Sequence, residues 1–420
     1  MTVDGFVASR LGIGLDVRPA FPAAARFADA VEIGLRRNPR RAQLLVSRLL
    51  GKHIPVPVGR VLAAANELGG QVREACAGRT PVVIGFAETA TGLGHAVAAV
   101  SAADGGPAPY LHTTRRPAPP GALAVRFSED HSHATDQALI LLDDADLRGG
   151  RPLVLVDDEL TTGATAVNAI RALHRAWPRE RYLLASLIDC RSERRRAEVA
   201  QAVSDLGASV ASVSLLDGAV RLPTDVLAAA RDLIDALPAP PGRPQVPAVP
   251  QVPVSWLDAP LPPCLPATAR HGWGPAQERA AAGAMALLAR TLPVNRDRRT
   301  LVLGDEELMY LPQLLARALG PGVRTSTTTR TPAVCHDVPG YPLRTALAFA
   351  ATEDGARPAY AYNVAPSGHP EPGNAPGFLD IVLVTDAVAR PNVAEVAAGL
   401  RRSATGSVHV VTLGSGSGPC

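Results

Sequence analysis

Short apolar runs alternate with segments of helical spacing along the first half of this chain. The runs are "PVVIGF" at 81–86, "LVLVD" at 153–157, "YLLASLID" at 182–189 and "ASVASVSLL" at 208–216. Strands that are apolar on both faces are typical of parallel sheets covered by helices on both sides. After the second run, apolar residues recur at three- and four-residue spacing from Val167 to Trp177, as in an amphipathic helix. The pattern therefore predicts an α/β domain with a parallel sheet and helices on both faces.

The second half of the chain repeats this pattern in a weaker form. It contains "LVLGDEELMYLPQLLARAL" at 301–319, "RTSTTTRTP" at 324–332 and "DIVLVTDAV" at 380–388, which follow the order of similar elements in the first half. We expect a second α/β (Rossmann-like) domain and a degenerate internal repeat. Chance likeness stays an alternative, because short apolar strands resemble one another readily.

A proline-rich segment separates the two halves. Eleven prolines occur between Pro238 and Pro266, without helical or alternating spacing. Proline at this density favours extended polyproline conformation. The sequence thus predicts a first domain at 1–237, a semi-rigid linker at 238–269 and a second domain at 270–420.

Composition and charge narrow the possible environments and partners. Of 420 residues, 47% are hydrophobic, yet no run approaches the ~20 apolar residues of a membrane span. No secretory leader is visible at the start, so we expect a cytoplasmic protein without membrane contact. The net charge is only +3, and the basic segment from Arg36 to Lys52 lacks interleaved aromatic residues. A nucleic-acid partner is therefore not expected.

The stretch "LVLVDDELTTGATAVNAIRALH", Leu153 to His174, places polar groups between a predicted strand and a predicted helix. Ligands of open parallel sheets bind beyond the carboxyl ends of the strands, and helix N-termini attract anions. Hydroxyl groups and closely spaced backbone N–H groups come from Thr161, Thr162, Gly163 and Thr165. This loop is expected to hold a phosphate monoester.

The adjacent carboxylates of Asp157 and Asp158 would repel that phosphate. Sugar hydroxyls and a hydrated Mg²⁺ are their natural partners, because Mg²⁺ prefers one or two carboxylates together with ligand phosphates. A phosphorylated ribose satisfies both requirements. The alternative is a capped helix after a strand that ends in two solvated acids.

The motif "VLVDDELTTGATA" resembles the 5-phosphoribosyl-1-diphosphate (PRPP) motif of type I phosphoribosyltransferases. The resemblance implies that Asp157 and Asp158 bind the ribose hydroxyls and contact Mg²⁺ indirectly, through ligand and water. The 5-phosphate would be bound by Thr161, Thr162, Gly163, Ala164 and Thr165. The expected cofactor is Mg²⁺.

The same resemblance assigns other positions. Glu88, Thr89, Ala90, Thr91 and Gly92 lie where the family has its pyrophosphate loop, and Arg115 and Arg116 resemble a cationic pair that meets the departing pyrophosphate. The alternative for the two arginines is a solvated strand end.

The interval "VRFSEDHSHATDQALI" corresponds to a mobile loop that closes over PRPP in the family. Its candidate catalytic residues are Glu129, His131 and His133. A metal site at the two histidines is an alternative, but no third ligand has a motif.

Lys52 is the single lysine among 42 Lys plus Arg residues. Its survival suggests a need for a compact ammonium rather than a planar guanidinium, although chance is the alternative. The N-terminal segment and the histidine-rich loop resemble an orotate-phosphoribosyltransferase-like family associated with bacterial tellurium-resistance and stress gene clusters. Lys52 and His53 would then border the acceptor and pyrophosphate pocket.

The second half resembles the TRSP domain that follows phosphoribosyltransferase domains of this family. Thr329, Arg330, Thr331 and Pro332 carry the motif, with Thr in place of Ser. Polar residues at predicted strand ends are candidate ligands for a polar small molecule or a phosphate, or else internal ion pairs: Asp305, Glu306, Glu307, Arg330 and Asp386.

These patterns predict a Mg²⁺-dependent phosphoribosyltransferase that transfers phosphoribose from PRPP to a nitrogenous base and releases pyrophosphate. The product would be a nucleoside-like metabolite, and a homodimer is an open expectation. The alternative is a non-catalytic PRPP or nucleotide sensor. Because every PRPP element precedes the predicted linker, a fragment of residues 1–237 is expected to bind PRPP with Mg²⁺ without the second half, whereas residues 270–420 are not.

Overall fold

The computed structural model describes residues 2–3, 5–38, 41–128, 136–237, 252–369, 377–386 and 392–414. The helices are α1 Phe6–Leu11, α2 Val58–Ala75, α3 Thr91–Ala98, α4 Ala145–Arg148, α5 Ala164–Ala176, α6 Glu193–Ser204, α7 Val226–Ala236, α8 Pro275–Thr291, α9 Tyr310–Leu319 and α10 Val393–Arg401, with 3₁₀ turns at Pro22–Phe27 and Ala269–His271. The strands of the first half are β1 Thr2–Val3, β2 Gly14–Pro19, β3 Val31–Leu35, β4 Gln43–Ser47, β5 Val56–Pro57, β6 Val82–Gly85, β7 Tyr110–His112, β8 Leu123–Ser128, β9 Asp136–Leu141, β10 Leu153–Leu160, β11 Arg181–Asp189 and β12 Ser209–Arg221. Those of the second half are β13 Val254–Pro260, β14 Thr300–Gly304, β15 Arg324–Thr327, β16 Ala346–Ala350, β17 Pro358–Tyr362, β18 Phe378–Asp386 and β19 Ala404–Gly414.

The first half forms a seven-stranded sheet in the order β1-β2-β12-β11-β10-β6-β7. Its strands from β12 to β7 are all parallel, whereas β1 and β2 pair antiparallel at one edge. Along β10, Val154 and Val156 belong to one apolar cluster, and Leu153 and Leu155 belong to another on the opposite face. Both faces are buried, which explains the unbroken apolar run and confirms the predicted fold class.

The second half forms a six-stranded sheet in the order β13-β19-β18-β14-β15-β5. The strands from β13 to β15 are parallel, and β5, contributed by the first half, pairs antiparallel with β15. The expected second α/β domain is thus confirmed.

The two halves share most of their topology. Four parallel strands follow one another with a helix, an antiparallel hairpin and a second helix in the same places along the chain, whereas the fifth parallel strand comes after them in the first half (β12) and before them in the second (β13). In the first half these are α3, β8–β9 and α5, and in the second α9, β16–β17 and α10. Single bridges link Thr114 to Ala138 and Thr329 to Tyr360 at equivalent positions. The sequence echo therefore corresponds to a structural repeat.

One apolar core is shared between the two sheets. The largest cluster joins Val83 and Val156 of the first sheet to Val302 and Val382 of the second, with α2, α8 and α9 contributing between them. The other two clusters lie on the outer faces of the separate sheets. The halves pack through their main core rather than at a thin interface.

The structure corrects part of the predicted linker. Residues 238–251 lie outside the described residues, but Val254–Pro260 forms β13, which pairs along its length with β19. Since β13 is an edge strand, its one outer side needs no hydrogen-bond partner, and proline is tolerated at its end. This part of the segment belongs to the second sheet.

Among the described helices, none is long and apolar enough to cross a bilayer.

Candidate functional site

A cleft opens beyond the carboxyl end of β10, and residues from both halves line it. It brings together the acid pair, most of the phosphate loop, part of the predicted pyrophosphate loop, Lys52 and Arg115. Arg330 and Thr331 of the second half line the same cleft. The sequence predicts the whole site in the first half. The structure shows that the second half also contributes residues to it.

The predicted phosphate loop leads directly into α5. Gly163 is the N-cap of this helix in the left-handed region, at φ 81°, and no side chain caps the helix. Thr162 Oγ1 accepts from the Ala164 backbone N–H at 3.3 Å. The N–H groups of Thr165 and Ala166 belong to the first turn, which has no intrahelical acceptors. The loop thus presents free donors and the positive end of a helix dipole to the cleft.

The two carboxylates lie in the last part of β10. Asp157 Oδ1 accepts from the Asp158 backbone N–H at 2.9 Å. Burial raises the pKa of Asp158 to about 6, and the charge of Glu159 adds to this effect, whereas Lys52 opposes it. Asp158 is thus a poorly solvated acid for which a hydrogen-bond donor or a cation in the cleft would be favourable.

The predicted pyrophosphate loop divides into two parts. Glu88 and Thr89 line the cleft, after a cis Ala87–Glu88 peptide. Ala90, Thr91 and Gly92 lie outside its lining and begin α3, which packs against α9. A Cβ on Gly92 would approach Met309 Cβ at 2.7 Å, so the glycine permits this close helix contact.

Lys52 is buried and lines the cleft together with the predicted phosphate loop and the predicted pyrophosphate loop. Its Nζ donates to Thr89 Oγ1 at 2.7 Å, and its carbonyl accepts from Ser326 Oγ of the second half at 3.0 Å. The ammonium lowers the pKa of both Asp158 and Glu88, opposing the effect of burial at each. Its position next to the acid pair agrees with the role expected from its isolation in the sequence.

The two predicted arginines point to different places. Arg115 lines the cleft, where its Nη1 donates to the Ala87 carbonyl at 3.2 Å. Arg116 is not among the residues that line the cleft within the described ranges. Its guanidinium forms ion pairs with Glu353 and, at 3.5 Å, with Asp386 of the second half.

Ion pairs across the halves surround Glu88. Arg330 donates its backbone N–H to Glu88 Oε1 at 3.3 Å, and its guanidinium is 3.5 Å from Glu88 Oε2. Burial raises the pKa of Glu88, and Glu306 raises it further, while Lys52, Arg330 and Arg115 oppose this. A carboxyl group therefore already lies among the cations at this end of the cleft.

The acidic triplet of the second half is engaged in internal contacts. Asp305 accepts from Thr328 and Thr352, and Glu306 from Arg330 and Arg357. Glu307 reaches the first half, where its carboxylate accepts from Thr114 Oγ1 and from the Arg115 backbone N–H. Burial raises the pKa of Glu307, but nearby charges, first that of Arg270, outweigh burial and lower it to about 2. The ion-pair interpretation of these acids is the one that the contacts support.

Two apolar residues contribute to the lining of the cleft. Leu44 and Leu45 of β4 line it with His53, and Arg36 and Arg41 lie nearby. Burial lowers the pKa of His53 well below its usual value, and the charges of Lys52 and Arg36 lower it further. His53 Nε2 is buried without a hydrogen-bond partner among the described residues.

Sequence reasoning missed a buried ion pair behind the phosphate loop. Arg191 binds Asp189 through two bonds of 3.0 and 2.7 Å and also donates to Ser212 Oγ at 2.7 Å. A Cβ on Gly163 would lie 3.4 Å from Arg191 Cδ. The end of the neighbouring run, "LIDCRS", carries the only sequence signal for this pair.

Several predicted positions cannot be placed. Glu129, His131 and His133 lie outside the described residues, between β8 and β9. The hairpin itself reaches the site, because Gln137 of β9 lines the cleft and accepts from Thr113 Oγ1 at 2.5 Å.

Comparisons with known proteins find two family models that match successive parts of the chain. A family described as phosphoribosyl transferase matches residues 30–219, and a family described as the TRSP domain C-terminal to that transferase matches residues 267–400. No curated protein matches the chain.

Solved structures similar to the chain include phosphoribosyltransferases. Adenine phosphoribosyl transferase from Trypanosoma brucei, solved with AMP, pyrophosphate and ribose-5-phosphate, is 13% identical over 47% of this chain and 80% of that one, with a TM-score of 0.34. The enzyme from Giardia lamblia, complexed with 9-deazaadenine, is 16% identical over 44% and 95%, with a TM-score of 0.32. Orotate phosphoribosyltransferase from Aeropyrum pernix is 19% identical over 36% and 70%, with a TM-score of 0.23.

The two family matches follow each other along the chain in the order of the two sheets, and residues of both line the cleft. The chain therefore carries a phosphoribosyl transferase domain at residues 30–219, followed by a TRSP domain at residues 267–400.

Proposed function

We propose that the protein transfers phosphoribose from PRPP to a nitrogenous base and releases pyrophosphate. The observation that carries this proposal is the convergence of three groups in one cleft: an uncapped helix N-terminus, a carboxylate pair and buried cations. These groups match the phosphate, the diol and the diphosphate of a single ligand. The match of residues 30–219 to a family described as phosphoribosyl transferase supports the same reaction class.

The 5-phosphate is assigned to the loop from Thr161 to Thr165. Free N–H groups at the start of α5 and the hydroxyls of the loop are suitable donors for a phosphate monoester. The left-handed Gly163 allows the backbone to turn around that group.

Asp157 and Asp158 are assigned to the ribose hydroxyls. The described residues contain no cluster of three or more acidic, histidine or cysteine side chains that could hold a metal ion. A hydrated Mg²⁺ fits the acid pair nevertheless, because it requires only one or two carboxylates when ligand oxygens complete its shell. When bound, Mg²⁺ would supply positive charge to the diphosphate.

Lys52 and Arg115 are assigned to the diphosphate end. Both are fixed by hydrogen bonds, to Thr89 and to the Ala87 carbonyl, so their charges are oriented before the ligand arrives. Oriented charges stabilise the leaving group as negative charge develops on it, and no covalent nucleophile is required.

The part of the cleft lined by Leu44, Leu45 and His53 is assigned to the acceptor base. A flat base would pack against an apolar side chain of β4, and His53 Nε2 is an unpartnered polar atom of the same lining residues. Because burial keeps His53 neutral, one ring nitrogen is available as an acceptor.

A panel assay tests the proposed function. Wild-type protein is incubated with PRPP, Mg²⁺ and purine or pyrimidine bases, and pyrophosphate release is measured. Release with at least one base is the expected result. Tight binding of PRPP without turnover on any base would instead identify a PRPP sensor.

Substitutions of the acid pair test the ribose assignment. Asp157→Asn and Asp158→Asn should each weaken PRPP binding about tenfold or more, because a hydrogen bond to a charged group contributes roughly 1.5–3 kcal/mol. Asp232→Asn, at an exposed position on α7, is the matched control. Calorimetry that gives wild-type PRPP affinity for both site variants would contradict the assignment.

A further inference from the structure

Arg115 and Arg330 occupy matching positions in the two structural repeats. Each follows a pair of threonines just after the outermost of the five parallel strands of its sheet, β7 or β15. Each backbone N–H donates to a glutamate of the other half, Arg115 to Glu307 at 3.1 Å and Arg330 to Glu88 at 3.3 Å. The contacts are reciprocal across the boundary between the halves.

Both arginines line the same cleft, although they belong to different domains. Asp386 ends β18 where Asp158 lies in β10, and Arg116 from the first half pairs with it. The repeat is therefore asymmetric. Arg115 and Arg330 both line the cleft beyond β10, whereas Asp386 of the second half is paired with Arg116.

Arg330 is held in a fixed orientation. Its Nε and Nη2 bond to Glu306 Oε2 at 3.0 and 2.9 Å, and Arg357 holds the other oxygen of the same carboxylate at 2.7 Å. The remaining guanidinium nitrogen, Nη1, makes no hydrogen bond or ion pair within the described part of the chain. A guanidinium anchored on one edge can bind an anion with the other.

Arg330 lies at the pyrophosphate-loop end of the cleft. Its contact with Glu88 places it next to Thr89, which binds Lys52. A doubly charged phosphate group in this region would therefore meet cations from Lys52, Arg115 and Arg330.

We propose that the TRSP domain completes the active site by supplying Arg330 as a binding residue for the diphosphate. The second domain acts in cis as a fixed partner for the transferase domain, rather than as a second catalytic unit. This inference rests on the proposed function, because it assigns one more contact to the same ligand.

The test separates the two ends of the ligand. Binding of inorganic pyrophosphate and of ribose 5-phosphate, each with Mg²⁺, is measured by calorimetry for the full-length wild type and Arg330→Gln. Arg299→Gln is the control, because it removes one arginine of the same domain before the amino end of β14, where Arg299 pairs with Asp297. Arg330→Gln should weaken pyrophosphate binding about tenfold or more and change ribose 5-phosphate binding less than about twofold.

Arg330→Lys provides a second variant if the loss of charge near Glu88 and Glu306 prevents folding. One ammonium keeps the charge but cannot hold Glu306 and a phosphate with separate edges, so pyrophosphate should still bind more weakly than in the wild type. Thermal unfolding verifies that each compared protein is folded.

Three results would overturn the proposal. In the first, folded Arg330 variants bind pyrophosphate as tightly as the wild type. In the second, they lose as much affinity for ribose 5-phosphate as for pyrophosphate, which would indicate a structural role for Arg330. In both cases the proposed function stands, since the wild type binds both ligands. A wild type that binds neither ligand would instead overturn the proposed function together with this inference.

Discussion

At the scale of single residues, the one lysine of the chain, Lys52, lies in the candidate site. An arginine-rich chain that keeps one lysine has it buried in the cleft, with its ammonium bonded to Thr89 and its carbonyl to Ser326. A guanidinium is broader and planar, so it could not occupy the same space without moving these partners.

Lys52→Arg should therefore lower PRPP affinity about tenfold while leaving the melting temperature within a few degrees of wild type, about the change that 1 kcal/mol produces. Calorimetry with PRPP and Mg²⁺ measures the first quantity, and thermal unfolding the second. Lys52→Met, which removes the charge, should weaken binding further. Equal PRPP affinity of the wild type and the arginine variant would contradict a role for Lys52 in the site.

His112 gives the protein a defined response to acid. Burial, reinforced by the charge of Arg270, lowers its pKa to about 4, although Glu307 opposes this. A histidine whose pKa is lowered by folding stabilises the protein fully above its unfolded pKa of about 6.5. That contribution is lost as the pH falls towards 4, because protonation then favours the unfolded chain. Glu307, with a pKa of about 2, stays charged over this range.

His112 should therefore lower the free energy of unfolding between about pH 7 and about pH 4.5, against the opposite effect of Asp158, whose pKa is raised to about 6. His112→Gln should reduce the fall in the free energy of unfolding that is due to histidines. Denaturant titrations at several pH values measure it. The reduction is partial, because burial also lowers the pKa of His53 and His95. His369→Gln, at an exposed position, is the control and should keep the wild-type slope. The same slope in both variants would contradict the assignment to His112.

At the scale of elements, the phosphate loop depends on one glycine. Gly163 has φ 81°, and a Cβ there would lie 2.6 Å from Val199 Cγ2 of α6. Gly78 also has a left-handed backbone, at φ 76°, but nothing lies within 4 Å of its Cβ position. Alanine at Gly78 would introduce backbone strain only, whereas alanine at Gly163 would introduce the same strain together with steric overlap.

Gly78→Ala should cost about 1–2 kcal/mol of stability and leave ligand binding unchanged. Gly163→Ala has the same strain and must also displace the loop or α6, so it should be less stable and lose ribose 5-phosphate affinity. Thermal unfolding and calorimetry distinguish these outcomes. A Gly163→Ala protein that binds ribose 5-phosphate like the Gly78→Ala protein would remove the phosphate loop from the site.

The loop and its flanking elements were readable in the sequence because their signals are local. The apolar strand, the acid pair, the Thr-Thr-Gly loop and α5 follow one another from Leu153 to Ala176. The contacts that orient the site are not local: Lys52 with Ser326, Glu88 with Arg330 and Arg116 with Asp386. No periodicity or spacing connects residues so distant in sequence, so only the folded chain reveals that the second half reaches the cleft.

At the scale of the whole molecule, the shared core changes what the halves can do apart. Residues of both sheets belong to the same apolar cluster, and β5 of the first half completes the second sheet. Cutting the chain to residues 1–237 would expose that core and remove Arg330. The fragment is therefore expected to aggregate or unfold, contrary to the independent PRPP binding expected from the sequence.

Cleavage at a protease site inserted between residues 237 and 252 should leave the two pieces associated. Apolar burial across a shared core stabilises the pair without a covalent link. Size-exclusion chromatography should show one species of the uncut mass before denaturation and two separate chains after it. Pieces that separate under native conditions, each folded by circular dichroism, would contradict the shared core.

The pairing of Arg116 with Asp386 shows that the two similar halves carry different side-chain contacts at equivalent strand ends, so their sequences can change independently. In an assembly of identical subunits, every substitution enters all sites at once, so a change that fills one site fills the others. Two similar halves encoded in tandem are free of that constraint, since each accumulates its own changes. One half can give up its ligand and specialise as a scaffold while the other keeps its chemistry, a division of labour that symmetric oligomers cannot reach by point mutation.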